Sequence, residues 1–414
     1  MREGLKTVGF LAAALLMAVL AAITQPERAT PEILSDQGQA FYPQFRDPAA
    51  VRAIEVIDYD EATATARPLK IEYRRGRWVV ASHHNYPVEL GDRLARNAAG
   101  LVDLRKDLVR SDSAQDHAQF GVIDPLDAKV GTLTGRGKRV TLRDARGEVL
   151  ADYIFGKPVE GKPGYRYLRV PGGKRTYAVR TDADPSARFA DWVDADLLRI
   201  ASGAIRRIVL QNYSIDESFG RIASSETLTL TRQDGGWSAG GGRLNMNAVN
   251  RLLGALDGLR IVDVRPKPPA LAADLRQGQI RLSLESALSL RQCGFFLTPQ
   301  GRLLAKEGEM AVETADGLAY TLRFGEVAAA AGEIRAPGGQ GENRYLLVTV
   351  AYDAARAARY GGDGANGERR ARELSQRFAD WYYVISGADF QKLRLKRSDA
   401  LAGEGSASQN QPQP

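Results

Sequence analysis

Leu69, Ile71 and Tyr73 alternate with polar residues before a glycine turn and Trp78, and the same period of two returns at Leu228 and Leu230 before Gly235, Gly236 and Trp237. Successive side chains of a strand face opposite sides of a sheet, so each pattern predicts a half-buried hairpin. An opening strand precedes each hairpin, at residues 51–57 and 205–211. After the second hairpin, Val249, Leu252, Leu253 and Leu256 fall at the i, i+3, i+4, i+7 spacing of one helix face, with Asn245 or Asn247 placed to cap it. Leu90, Leu94, Ala98 and Leu101 give the first hairpin a fainter stripe of the same kind. Strands resume at residues 153–156 and 322–325, then at 166–168 and 344–346.

Matching landmarks in matching order predict an internal duplication. The phrase Arg188, Phe189, Ala190, Asp191, Trp192 also recurs unchanged as Arg377, Phe378, Ala379, Asp380, Trp381. Hairpins outnumber helices and do not alternate with them, which points to an α+β fold. The expected architecture is two tandem diverged repeats, residues 51–199 and 200–398. Each is an antiparallel sheet with hairpins and one or two packed helices. Trp78, Trp192, Trp237 and Trp381 fall two per copy and are expected, with Phe189, Phe378, Gly156 and Gly325, to anchor the two cores. The two identical phrases are expected at equivalent places, each on a short helix.

Ahead of the repeats, Arg2 and Lys6 precede an uncharged stretch at residues 7–26. Twenty uncharged residues at about 1.5 Å each just span a bilayer core of roughly 30 Å. Thr24 is a poor residue for the position before a cleavage site, so an uncleaved signal anchor is expected. Positive charge before the segment and net acid after it put residues 1–6 in the cytoplasm and the bulk of the chain outside, tethered to the inner membrane by a single pass. Residues 27–50 read as a stalk and residues 399–414 as a disordered tail.

Composition narrows the chemistry. The 57 Lys and Arg against 50 Asp and Glu leave a net charge of +7, but bases and acids are interspersed. Lys392, Arg394, Lys396 and Arg397 form the one dense basic stretch and read as the solvated face of a strand, so no nucleic-acid partner is expected. The single Cys293 reads as a buried structural thiol and excludes an intrachain disulfide. Gly156 to Lys162 fits GxxxxGK, but Pro163 stands where a magnesium-holding hydroxyl is needed, and a strand follows. Gly362, Gly364 and Gly367 fit GxGxxG too far from the preceding strand for a dinucleotide turn. His83, His84 and His117 read as exposed turn residues, and the acids Asp182, Asp184, Asp191, Asp194 and Asp196 lack calcium-loop spacing. No catalytic, cofactor-binding or metal residue is expected, although carboxylates that meet only in three dimensions stay open.

Several phrases resemble the envelope family known as domain of unknown function 4340. They are the apolar N-terminal segment, the Trp78-Val79 pair, the Tyr86-Pro87-Val88 entry, the phrase Phe120 to Pro125 in place of YGLDxP, and Tyr153 to Lys157 in place of LxxGK. The resemblance covers about residues 50–210 and fades in the second copy, where Glu326 replaces the lysine and no YGLDxP phrase is evident. It implies a non-enzymatic auxiliary subunit of an ABC-type exporter, with a multi-span permease as protein partner. A module that binds envelope glycan or peptide is the second expectation, and an envelope hydrolase the third.

Overall fold

The computed structural model describes residues 36–89, 98–216, 221–233, 236–278, 281, 283–298, 300–328, 342–362 and 364–401. The expected membrane segment, residues 7–26, lies outside the described residues, as do Leu90, Leu94 and all but the first residues of the tail. Among the described residues no helix is long and apolar enough to cross a membrane.

Antiparallel sheets with packed helices make this an α+β protein. The first sheet is built from β1 (Ala53–Asp60), β2 (Thr65–Arg74), β3 (Arg77–Val80), β4 (Tyr86–Pro87), β5 (Leu108–Ser111), β6 (Lys138–Arg143), β7 (Val149–Pro158), β8 (Tyr165–Arg169) and β9 (Thr176–Arg180), in the order β4-β3-β2-β1-β6-β7-β8-β9-β5. The second contains β10 (Ile205–Asp216), β11 (Arg221–Gln233), β12 (Gly236–Ser238), β13 (Ile261–Pro266), β16 (Glu309–Thr314), β17 (Leu318–Val327), β18 (Arg344–Tyr352) and β19 (Trp381–Ile385), in the order β12-β11-β10-β16-β17-β18-β19-β13. A separate ribbon pairs β14 (Phe295–Leu297) with β15 (Leu303–Ala305).

Matched in chain order, the two large sheets share one strand order, β4 being the single addition. Their registers agree in detail. Phe155 faces Leu168 and Phe324 faces Leu346, and each ladder then slips at a bulge before Pro158 meets Arg166 and Val327 meets Arg344. Gly156 and Gly325 follow the paired phenylalanines, and a Cβ on either would come within 2.4 Å of the Phe120 carbonyl or 2.1 Å of the Cys293 carbonyl. This match exposes a counterpart for the first sheet's phrase that sequence reading did not find: Gln292-Cys293-Gly294 stands to β17 as Gln119-Phe120-Gly121 stands to β7. Gly121 and Gly294 both have positive φ, +69° and +78°, each ending a helix.

The chain divides into two compact units, the described parts of Met1–Pro68 with Ala95–Pro185, and of Leu69–Leu94 with Ser186–Pro414. In the first, Ile54, Val56, Val140, Leu142 and Ile154 are sealed from solvent, as alternation on β1 and β6 requires. Residues 36–50 are packed rather than free, with Phe41 and Phe45 buried and Asp36 held by Lys106 at 3.2 Å, Arg175 at 3.1 Å and the Tyr177 hydroxyl at 2.5 Å. The composition of the stalk hid these aromatic anchors.

In the second unit, the helix Met246–Asp257 buries Val249, Leu252, Leu253 and Leu256, and the Asn245 side chain accepts from the Ala248 N–H at 3.3 Å. Each fully buried aliphatic side chain contributes roughly 1.5–3 kcal/mol against helix-propensity differences below about 1 kcal/mol, so packing holds this helix. The basic stretch is not a strand. Lys392 closes the helix Gly387–Leu393, while Arg394 pairs with Glu307 and lies 5.7 Å from the Phe390 ring.

Candidate functional site

Polar chemistry gathers in the first unit, in a cavity of about 610 Å³ lined by His117, Asp124, Asp127, Arg139, Arg169 and Lys174, with Ala114, Ala118, Ile123, Leu126 and Val130 among the apolar lining. The sheet supplies Arg139 from β6 and Arg169 from the end of β8. The short helix His117–Phe120 supplies the imidazole, and the loop after Gly121 supplies the carboxylates. Arg136 braces that loop, donating to the carbonyls of Asp124 at 3.0 Å and Val130 at 2.8 Å while lying 4.8 Å from the Tyr59 ring.

Arg169 is only 6% exposed. Its Nε donates to the Val122 carbonyl and its Nη1 to the Gly173 carbonyl, both at 2.8 Å. Among the described residues no carboxylate lies within ion-pair distance of it, and its Nη2 edge has no partner. Burial pushes this guanidinium below its ordinary pKa, with Asp124 and Asp127 opposing the shift from farther off. Arg139 is satisfied by contrast, bound through two nitrogens to Asp152 at 3.1 and 2.7 Å and to Asp124 at 3.0 Å.

His117 is buried, and its Nε2 lies 2.7 Å from the Lys174 carbonyl. A carbonyl can only accept, so Nε2 carries the proton and Nδ1 keeps its lone pair. Burial lowers the His117 pKa and favours this neutral form. The expectation of exposed histidines therefore fails here. It fails for His83 also, whose ring stacks on Phe189 at 4.8 Å and whose Nε2 sits 3.8 Å from Asp263, while His84 is exposed.

The sheet match explains why a cavity exists. Arg169 occupies the register position of Leu347, and His117, three residues before Phe120, that of Leu290. Leu347 and Leu290 lie in a sealed apolar cluster with Leu271, Cys293, Phe295, Leu303 and Tyr382. Leu271 comes from the helix Pro269–Arg276, for which residues 112–116 of the first unit leave no room. The second sheet thus fills the space with hydrocarbon, and the first lines it with a buried cation and an imidazole. Burying a charge is costly, and the two backbone carbonyls offset part of that cost for Arg169. Nothing in the sequence marked Arg169, Lys174 or Asp127, and His117 reads there as an exposed turn residue. An alignment of the two sheets' sequences through Gly121 and Gly294 is the signal that would have done so.

The residues expected as anchors are placed unevenly. Trp192 is fully buried, its Nε1 donating to the Ser186 carbonyl at 2.9 Å. Trp78, Trp237 and Trp381 are only half-buried, because the first two sit on the short strands β3 and β12 and the third opens β19. Phe189 and Phe378 are buried. The two identical phrases differ in conformation. Residues 189–191 form the expected short helix, a single 3-10 turn after β9, whereas Arg377 to Ala379 end the sixteen-residue helix Gly364–Ala379 and Trp381 begins β19, the counterpart of β9, so the two places are not equivalent. Upstream context decides: Pro185 breaks the chain before one phrase, while a helix runs into the other. Asp191 accepts from the Ser186 hydroxyl at 2.6 Å, and Asp380 pairs with Arg276.

Residues 156–162 end β7 and enter the turn before β8, and Gly367 lies inside a helix packed on Asp316, so neither glycine motif cradles a phosphate here. Cys293 is sealed from solvent, and burial pushes its thiol up to about 11. Among the described residues no three His, Cys, Asp or Glu side chains could share a metal.

No curated protein and no solved structure matches the chain. Residues 78–278, which include every residue lining the cavity, match the family model described as Domain of unknown function (DUF4340), and it is to that family that this chain is similar.

Proposed function

We propose that this protein is a non-enzymatic, membrane-anchored binding protein of the cell envelope whose first sheet captures a small anionic ligand. The observation that carries the reading is Arg169, a buried guanidinium with an open Nη2 edge on a cavity where its counterpart is Leu347. A volume of about 610 Å³ falls within the roughly 300–1,000 Å³ of ordinary ligand sites. Among the described residues no Cys or Ser lines the cavity, and binding rather than bond-breaking is what such a lining supports. Calorimetric titration of the full chain with inorganic phosphate and with succinate tests it. Either anion should bind wild type and bind Arg169→Leu at least tenfold more weakly. Equal binding, or none to wild type, sinks the proposal.

We further infer that the two sheets arose by duplication. The common strand order, the shared bulge and the paired glycines support this better than the recurring pentapeptide does. After duplication one copy closed its core, leaving the other free to bind.

The accessory role beside an ABC-type exporter is a second proposal, supported by the DUF4340 resemblance and by the apolar run behind Arg2 and Lys6. Copurification of a multi-span permease and its ATPase from gently solubilised membranes tests it. Recovery of the chain without either would remove that role while leaving the ligand site standing.

A further inference from the structure

The anion site has a second charge of opposite sign. Asp127 lines the same cavity as Arg169, half-buried, and its Oδ1 accepts the Lys129 N–H at 2.9 Å. Among the described residues Asp127 has no cationic partner within 4 Å. It does not pair with Arg169 either, although the two attract each other. The neighbouring acid differs: Asp124 is already committed to Arg139 at 3.0 Å and to the Leu126 N–H at 2.9 Å. One cavity therefore presents an open guanidinium and an open carboxylate that do not satisfy each other. The same lining includes apolar groups, Ile123, Leu126 and Val130.

Opposite charges on one cavity gain by pairing, since a bound pair recovers part of the desolvation cost of each. Here Arg136 braces the loop that carries the carboxylate, through the Asp124 and Val130 carbonyls, and two other backbone carbonyls hold the guanidinium. A molecule carrying a carboxylate at one end and an ammonium at the other would complete both groups at once. The apolar lining would then meet its small hydrocarbon groups. We propose that the ligand is a short zwitterionic peptide with small side chains, its carboxylate taken by the Nη2 edge of Arg169 and its ammonium by Asp127. This deepens the anion-binding reading and rests on it.

The recognition is separable by chemical blocking. Tri-alanine, its N-acetyl form and its C-terminal amide, titrated by calorimetry into the full chain at pH 7, should rank with the free peptide at least tenfold tighter than either blocked form. Asp127→Asn should bind free and N-acetylated tri-alanine alike, while amidation still weakens binding. Its half-exposed position makes this variant safe for folding, and a thermal melt matching wild type confirms that. Wild type binding N-acetyl tri-alanine as tightly as the free peptide would overturn the zwitterion and leave a carboxylate site intact. Failure of all three peptides together with phosphate and succinate would overturn both readings.

Discussion

Arg169 and Leu347 hold one register position in their two sheets, each a single residue beyond the leucine that faces the phenylalanine before the bulge. The aliphatic member is fully sealed among apolar neighbours, and the cationic member is 6% exposed on a cavity. The same backbone environment thus tolerates hydrocarbon or charge according to what fills the space above it.

Arg169→Leu is expected to leave stability within about 2 kcal/mol of wild type while removing anion binding. Losing one partner of a buried ion pair costs about 3–5 kcal/mol, but this guanidinium has no such partner and forfeits only two bonds to carbonyls. Urea unfolding monitored by fluorescence gives the comparison. A loss above about 3 kcal/mol would make Arg169 a structural residue.

Gly156→Ala and Gly325→Ala should each be severely destabilising, by about 3 kcal/mol or more, because the new methyl would sit 2.4 Å from the Phe120 carbonyl or 2.1 Å from the Cys293 carbonyl. Equal penalties in chemical denaturation would reflect the equivalence of the two contacts. A variant that melts like wild type would contradict the packing.

Trp192→Ala is expected to cost about 3–5 kcal/mol, since its ring is fully buried and its indole N–H is used. Trp78→Ala should cost less than about 2 kcal/mol. That ring is half-buried and has an edge contact with Tyr73 at 5.6 Å. Thermal unfolding of both variants orders them, and a reversed order would show that exposure misjudges these rings.

Lys267 imposes a pH dependence. It is 5% exposed, and its Nζ donates to the carbonyls of Phe378 at 2.8 Å and Trp381 at 2.5 Å, a task that the two N–H bonds of a neutral amine can perform. Burial lowers its pKa from 10.5 to about 7, so between those values the unfolded chain binds a proton that the folded chain does not. Stability should therefore rise with pH from 7 toward 10 and fall as pH drops. In Lys267→Met this increment should vanish, and denaturation at pH 7 and 9 measures it. Parallel slopes for the two proteins would mean that Lys267 stays charged.

A reporter fused after Ala400 should be active only outside the cytoplasm, because Arg2 and Lys6 precede the apolar run and net acid follows it. Cytoplasmic activity would remove the envelope from the proposal.

The sequence by itself determined the strands, the capped helix and the repeating order of landmarks. Period-two alternation and the Val249-to-Leu256 stripe are local consequences of which face each element buries. It misread the recurring pentapeptide, because five residues carry too little preference to override Pro185 before one phrase or the helix Gly364–Ala379 running into the other. It also overrated the tryptophans at Trp78 and Trp237, whose burial depends on where their strands lie in the sheet. The cavity could be decided only in three dimensions. Arg169, His117 and Asp127 stand on a strand, a helical turn and a loop with no shared spacing, and only pairing β7 with β8 and seating Gly121 against that ladder brings them to one space. Whether that space is filled depended on the helix Pro269–Arg276, which follows β13 of the second sheet and has no equivalent after β5 of the first.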